Sequence, residues 1–162
     1  MNVYEYEIYP CDDMSGWYLA EPFDFFGMTQ GEDLADIALM VCDHLKVWAE
    51  TWYIDGKEPP TPTYGNKPRH PGGRIVLVPV EDPKLTIRKT TPSDAARLLG
   101  VSPARITQLV KEAKLEAFTD EFGKRWVTTD SIECRLRDRA HIERAAKKKA
   151  PAMPAVSKAA AL

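Results

Sequence analysis

The first residues alternate between hydrophobic and polar positions with the period of a β-strand. In VYEYEIY, residues 3–9, one face carries Tyr4, Tyr6 and Ile8, and the other carries Val3, Glu5, Glu7 and Tyr9. Such alternation buries one face of an antiparallel strand and leaves the other in water, so we expect Glu5 and Glu7 on a solvated surface. The segments GWYLAEP and FDFFGM, residues 16–22 and 23–28, lie between turn residues and predict two more strands.

The pattern changes to a helical period after Met28. Thr29 followed by Glu32 predicts a capping box, in which each side chain accepts a hydrogen bond from an otherwise unpaired backbone N–H. Hydrophobic residues then recur every three or four positions and predict one long helix that covers the sheet. This stripe consists of Leu34, Ile37, Ala38, Val41, Leu45, Trp48 and Trp52.

A segment rich in proline and glycine, residues 55–73, separates this helix from RIVLVPV, residues 74–80. The composition of the segment predicts an extended loop. A β-branched run needs a sheet to pair with, so we expect residues 74–80 to return to the N-terminal sheet. The first half therefore has the predicted order β-β-β-α-β, which belongs to the α+β class.

Two short capped helices that meet at a glycine are predicted in the second half. TPSDAARLLG, residues 91–100, and SPARITQLVKEA, residues 102–113, each begin with a hydroxyl cap and a proline. Ala95, Ala96, Leu98 and Leu99 form the inward face of the first helix. Ala96, Gly100 and Ile106 have the spacing of a helix-turn-helix. LEAFTDEFGKRWVTT, residues 115–129, predicts a hairpin, and a third helix follows it.

Both halves resemble known families. The stretch TQGEDLADIALMVCDHLKVWAETWYIDGKEPPTP, residues 29–62, together with the predicted element order, resembles the N-terminal domain of HicB-type antitoxins. The two helices, the hairpin and the third helix resemble the winged helix-turn-helix of the MerR and excisionase type. The first resemblance implies a partial RNase H-like domain that masks a small basic HicA-like ribonuclease toxin. The second implies a DNA-binding domain that represses the protein's own operon.

Charge is divided unevenly between the two halves. The whole chain has a net charge of -2, but residues 1–81 hold 5 Lys or Arg against 14 Asp or Glu, and residues 82–162 hold 17 against 10. The halves therefore carry -9 and +7, which indicates two modules with different partners. We predict a toxin-binding and oligomerisation domain at residues 1–81, a linker at 82–90, a DNA-binding domain at 91–146 and a disordered tail at 147–162.

No enzymatic chemistry is predicted. A ribonuclease H-type site needs convergent carboxylates, and Glu5, Glu7, Asp12, Asp13 and Asp24 are predicted on different faces or in turns. Three scattered cysteines favour neither a disulfide framework nor a zinc site, and we expect no cofactor and no metal. The chain has no apolar run near the ~20 residues that span a bilayer and no signal-peptide pattern. We therefore expect a cytoplasmic protein without membrane contact, nucleoid-associated when bound to DNA.

The predicted sites follow from these two modules. On the second helix and the hairpin, the residues expected to contact DNA are Ser102, Ala104, Arg105, Thr107, Gln108, Lys111, Lys124 and Arg125. In the first module, the residues expected to contact a toxin are Asp12, Asp13, Tyr18, Asp24 and Phe25. The partners predicted are a HicA-like toxin, operator DNA and at least one further copy of the chain. The alternative is a stand-alone transcriptional regulator or excisionase-like protein, whose N-terminal domain only oligomerises or senses a ligand.

Overall fold

The computed structural model describes residues 2–149 and has the mixed α+β composition that the sequence predicts. Its contacts divide the chain into two compact units, Met1–Arg88 and Lys89–Leu162. The first unit contains strands β1 (Val3–Pro10), β2 (Tyr18–Pro22), β3 (Thr29–Gly31) and β4 (Arg74–Pro79) with helices α1 (Leu34–Ile54) and α2 (Pro83–Thr86). The second contains β5 (Lys89–Thr90), α3 (Pro92–Leu99), α4 (Pro103–Lys111), β6 (Ala117–Thr119), β7 (Arg125–Thr128) and α5 (Thr129–Lys149).

The first unit is built on a four-stranded antiparallel sheet in the order β3-β2-β1-β4. β1 lies in the interior of the sheet because the chain returns after α1 to place β4 beside it. The predicted order β-β-β-α-β is correct, but the third strand was placed too early. FDFFGM contributes a bend at residues 23–26, and the strand forms at Thr29–Gly31 instead.

The start of α1 also differs from the prediction. Asp33, not Thr29, is the N-cap, and its carboxylate accepts from the backbone N–H groups of Ala35 and Asp36 at 2.8 Å. Asp36 in turn accepts from the N–H of Glu32 at 2.9 Å. The predicted capping box is therefore wrong: the same kind of side-chain exchange occurs four residues later, because Thr29 is needed in the sheet.

One face of α1 and one face of the sheet enclose the first hydrophobic core. Tyr4, Tyr6 and Ile8 lie in it as predicted. On α1 the buried residues are Ile37, Val41, Leu45, Ala49 and Trp52. Leu34 and Ala38, which were predicted in the stripe, are exposed. The buried face is thus rotated slightly from the one that the apolar spacing indicated.

The opposite face of the sheet is covered by the proline-rich loop, so the prediction that Glu5 and Glu7 are solvated is wrong. Glu5 is 6% exposed and Glu7 is 0% exposed. Glu5 accepts from the backbone N–H groups of Gly65 and Asn66, both at 2.9 Å. Glu7 accepts from the N–H groups of Arg69 and His70, both at 2.8 Å. The two carboxylates hold the loop against β1.

The second unit surrounds a separate core with helices α3, α4 and α5 and the sheet β5-β7-β6. Thr91 caps α3 and Ser102 caps α4, each through its side-chain oxygen. Gly100 ends α3 in the left-handed region, at φ 64° and ψ 38°, and the next N–H, that of Val101, donates to Ala96 O at 3.0 Å. Ala96 and Ile106 are buried as predicted, whereas Leu98 is exposed.

Two predicted boundaries fall within ordered elements. Residues 82–90, predicted as a linker, contain α2 and β5, and β5 pairs with β7. Of residues 147–162, predicted as a disordered tail, Lys147–Lys149 belong to α5, and the remainder lies outside the described residues.

Candidate functional site

The outward side of α4 carries most of the residues predicted to contact DNA. Ala104, Thr107, Gln108 and Lys111 are exposed, while Ile106 and Leu109 point into the core. Ser102 is also exposed, but its hydroxyl oxygen accepts from Arg105 N–H at 3.3 Å. Ser102 therefore has a structural role at the start of the helix. The remaining four residues form one continuous exposed strip, in which Thr107, Gln108 and Lys111 are polar.

Arg105 is held along the helix by two partners. Its guanidinium donates to Gln108 Oε1 at 3.0 Å and lies 3.4 Å from Glu112 Oε1. Lys114 Nζ lies 2.7 Å from the other oxygen of Glu112. The hydrogen bond from Lys114, assisted by Arg105, holds the pKa of Glu112 below its ordinary value. An ionised Glu112 thus neutralises part of the positive charge on the face of α4.

The hairpin β6–β7 has its turn organised by one carboxylate. Asp120 Oδ1 accepts from the N–H groups of Phe122 at 3.0 Å and Lys124 at 2.9 Å, and Oδ2 accepts from Trp126 Nε1 at 2.7 Å. The bond from Trp126, followed by those from the backbone, lowers the pKa of Asp120. Gly123 provides the positive φ of 77° that the turn requires.

Two lysines lie over the indole ring of Trp126. Lys124 Nζ is 4.0 Å and Lys89 Nζ is 5.5 Å from the ring centroid. Trp126 is half-buried on the hairpin and lies outside the buried cluster of the unit. The hairpin therefore presents Lys124 and Arg125 in exposed positions, with Phe122, 87% exposed, at its tip. Its hydrophobic tip was not predicted, because a phenylalanine in a turn has no periodic signal.

The five residues predicted to contact a toxin have different environments. Asp12 and Asp13 are exposed in the turn between β1 and β2, and Tyr18 is half-buried against the first core. Asp24 accepts from the hydroxyl of Thr63 at 2.6 Å and from its N–H at 3.1 Å, which fixes the proline-rich loop. The structure does not bring these residues together with Phe25 into one exposed patch.

Phe25 belongs to an aromatic cluster on the face of the sheet that packs against α1. Its ring packs edge-on against Tyr4 and Tyr6 and stacks on His44 at a centroid distance of 6.0 Å. His44 Nδ1 lies 2.9 Å from the Tyr6 hydroxyl, and burial lowers the pKa of the imidazole. The neighbouring Phe26 is instead 90% exposed. This makes Phe26 the more accessible aromatic for a partner, which the sequence alone did not distinguish.

Within the described part of the chain, no group of three or more His, Cys, Asp or Glu side chains has a geometry that could hold a metal ion. Residues 2–149 also contain no helix with the length and hydrophobicity to cross a membrane. A cavity of about 150 Å³ lies in the first unit between Tyr4, Trp52 and Val80. Comparison with models of known protein families, with curated proteins and with solved structures finds no match to this chain.

Proposed function

We propose that the protein is an antitoxin of the HicA/HicB type. In this proposal the acidic first unit masks a small basic RNA-cleaving toxin in the cytoplasm, and the basic second unit binds the operator and represses the operon. The observation that carries the proposal is that the chain divides into two separately packed units and that its two halves have opposite net charge. Residues 1–81 have a net charge of -9, and residues 82–162 have a net charge of +7. Opposite charges suit opposite partners, a basic protein and a polyanion.

The first unit offers both charge and apolar contact to a basic partner. Asp12 and Asp13 are exposed in one turn, and the bend at residues 23–26 exposes Phe26. Charge accelerates the encounter, whereas an aromatic anchor supplies binding energy once water has been removed. The sheet with one long helix across it is what a partial RNase H-like domain requires. Glu5 and Glu7 are bonded to the loop, so neither carboxylate is presented for metal-dependent hydrolysis.

The second unit supports a winged helix-turn-helix through its geometry. α3 and α4 meet at the left-handed Gly100, and the hairpin β6–β7 follows as a wing. In this arrangement α4 is the recognition helix: Arg105 and Gln108 are suited to guanine and adenine, and Lys111 to a phosphate. When α4 binds its site, Arg105 leaves Glu112 and hydrogen-bonds a base edge. Where no such base is present, the Glu112 carboxylate continues to neutralise Arg105 and so weakens non-specific attraction to DNA.

Two cavities in the first unit bear on the regulator alternative. One has about 150 Å³, less than the roughly 300–1,000 Å³ of pockets for metabolite-sized ligands, and its mainly apolar lining provides few groups to orient a polar effector. The other, between Asn2, Glu81 and Leu85, has about 630 Å³ and is large enough for such a ligand. The division of charge, not cavity volume, is therefore what favours a macromolecular partner for the first unit.

The test of the antitoxin proposal is a pull-down of the tagged full-length protein from its native host after nuclease digestion, followed by mass spectrometry. A stoichiometric small basic protein is the expected result. Recovery of the chain alone would favour the stand-alone regulator.

The DNA-binding half is tested by footprinting on the promoter region of the protein's own operon. Arg105→Ala should abolish the sequence-specific footprint, whereas Arg137→Ala, an equal loss of charge on α5, should retain it. A footprint unchanged by Arg105→Ala would exclude α4 as the recognition helix. Neither substitution should alter recovery of the small basic protein.

A further inference from the structure

Strand β4 has an outer edge to which no described strand is paired. It lies at the end of the order β3-β2-β1-β4 and pairs with β1 alone. Leu77, near the middle of β4, is 62% exposed. Soluble proteins usually protect such an edge with charges, prolines or a covering segment, because an open hydrophobic strand pairs with other chains.

The direction of the backbone groups along β4 follows from the observed ladder. Val80 N–H donates to Asn2 O at 3.0 Å, in a pair that continues the β1–β4 register. In an antiparallel ladder, residues bonded to the partner strand alternate with residues whose N–H and C=O point away from it. Ile75, Leu77 and Pro79 therefore point to the open edge. Proline has no N–H, so the outward donors of the strand are those of Ile75 and Leu77.

We propose that the open edge of β4 pairs antiparallel with β4 of a second copy, about a two-fold axis at Val76 or Leu77. With the axis at Leu77, its N–H bonds to its counterpart's carbonyl, and Ile75 N–H bonds to the carbonyl of Pro79. With the axis at Val76, Ile75 and Leu77 exchange hydrogen bonds with each other. Both registers use both outward donors of each copy and cover the Leu77 side chain.

A second copy fits this edge better than an unrelated strand because the two-fold arrangement is self-complementary and closed. Each copy supplies the same donors and carbonyls, so one pairing satisfies both. Pro79 lacks an N–H and takes part only through its carbonyl, so the ladder gains no donor beyond Leu77 at that end. The -9 charge of residues 1–81 opposes association, so added salt should strengthen it.

This pairing goes beyond the proposed function, because it holds equally for an antitoxin and for a stand-alone regulator. It joins two chains through their first units, so that the assembly carries two second units. Two joined DNA-binding units can read a palindrome, which a single small unit binds weakly.

The first experiment compares Leu77→Lys with Val47→Lys in the full-length protein by sedimentation equilibrium. Val47 on α1 is an aliphatic residue of matched exposure, 61%, so both variants add one charge at a similar apolar surface. We expect a dimer for the wild type and Val47→Lys, and at least a tenfold weaker association for Leu77→Lys. Circular dichroism should show the same folded content in all three proteins.

The second experiment measures amide hydrogen exchange at Ile75 and Leu77 in the wild-type protein. Both amides should be protected where the protein is dimeric and exchange faster on dilution. A monomer at all concentrations, an equal effect of the two lysine variants, or unprotected amides in a dimer would each overturn the pairing. Protection that arises only on addition of another protein would also overturn it. Binding of a toxin would be unaffected by these outcomes, so the two proposals fail separately.

Discussion

Removal of the Glu7 carboxylate should release the proline-rich loop and destabilise the first unit. Glu7 Oε1 accepts both backbone N–H groups of Arg69 and His70, and Oε2 lies 3.1 Å from His70 Nδ1. In Glu7→Ala the two backbone donors lose their acceptor, at about 1–3 kcal/mol each, so we expect a loss of about 4 kcal/mol. Glu7→Gln can keep an oxygen at the Oε1 position and loses mainly the charge assistance, which amounts to about 2 kcal/mol.

The assay is urea unfolding followed by tryptophan fluorescence in a Trp126→Phe background. The remaining tryptophans, Trp17, Trp48 and Trp52, all lie in the first unit, so the signal reports on that unit alone. Glu58→Ala, an exposed residue at the start of the same loop, should change the free energy of unfolding by less than about 0.5 kcal/mol. A loss below about 1 kcal/mol in Glu7→Ala would refute the role of this carboxylate as the anchor of the loop.

The pH dependence of the same transition provides a second check. Burial raises the pKa of the Glu7 carboxyl, but the hydrogen bonds from His70 and Arg69 outweigh it and hold the pKa below its ordinary value. The unfolded chain therefore takes up this proton first as the pH falls. The stabilisation is complete above about pH 5 and is lost in acid. Glu7→Gln should remove this contribution and show a flatter stability profile below about pH 5.

Four further substitutions test single residues. Gly100→Ala should lower the free energy of unfolding of the second unit by about 1 kcal/mol, because the φ of Gly100 is positive although the space around it is open. Gly31→Ala should lower that of the first unit by about 3 kcal/mol, because the added Cβ would overlap the backbone of Ile37. Thermal melting of each variant measures both changes. Because burial lowers the pKa of His44, the unfolded chain binds this proton first, and the free energy of unfolding of the wild type should decrease as the pH falls from about 7 to 5. A His44→Gln variant whose stability falls with the same slope over this range would contradict this. Glu112→Gln should raise affinity for non-specific DNA in salt titrations; unchanged affinity would show that Glu112 does not restrain Arg105.

The sequence predicted the elements that depend on local signals. The caps Thr91 and Ser102, the turn at Gly100 and the burial of Ile106 are properties of short segments, and the structure contains all of them. The exposed strip on α4 follows from the same pattern, because the outward side chains are those that remain once the buried positions are removed. The DNA-contacting and toxin-contacting roles of the predicted residues stay predictions.

The features that the sequence did not predict depend on segments far apart in the chain. Glu5 and Glu7 have the pattern of a solvated face, and only the loop some sixty residues later makes them buried. Thr29 and Glu32 fit a capping box locally, but pairing of Thr29 with Ala20 in the sheet moves the start of the helix to Asp33. In each case a tertiary contact outweighs a local preference, and periodicity carries no information on such contacts.

The late return of β4 to β1 has a consequence for the order in which the protein folds during synthesis. Val3 pairs with Pro79 and Ile8 with Arg74, so β1 cannot acquire its second neighbour until more than seventy residues have been made. Pairings so distant along the chain form slowly, because a large loop must close first. On the ribosome, the first unit therefore waits with β1 unpaired on one side until residues 74–79 emerge. A message cut before that point would yield a fragment with an open β1 edge and with Glu5 and Glu7 lacking their loop, a substrate for proteolysis instead of a folded unit.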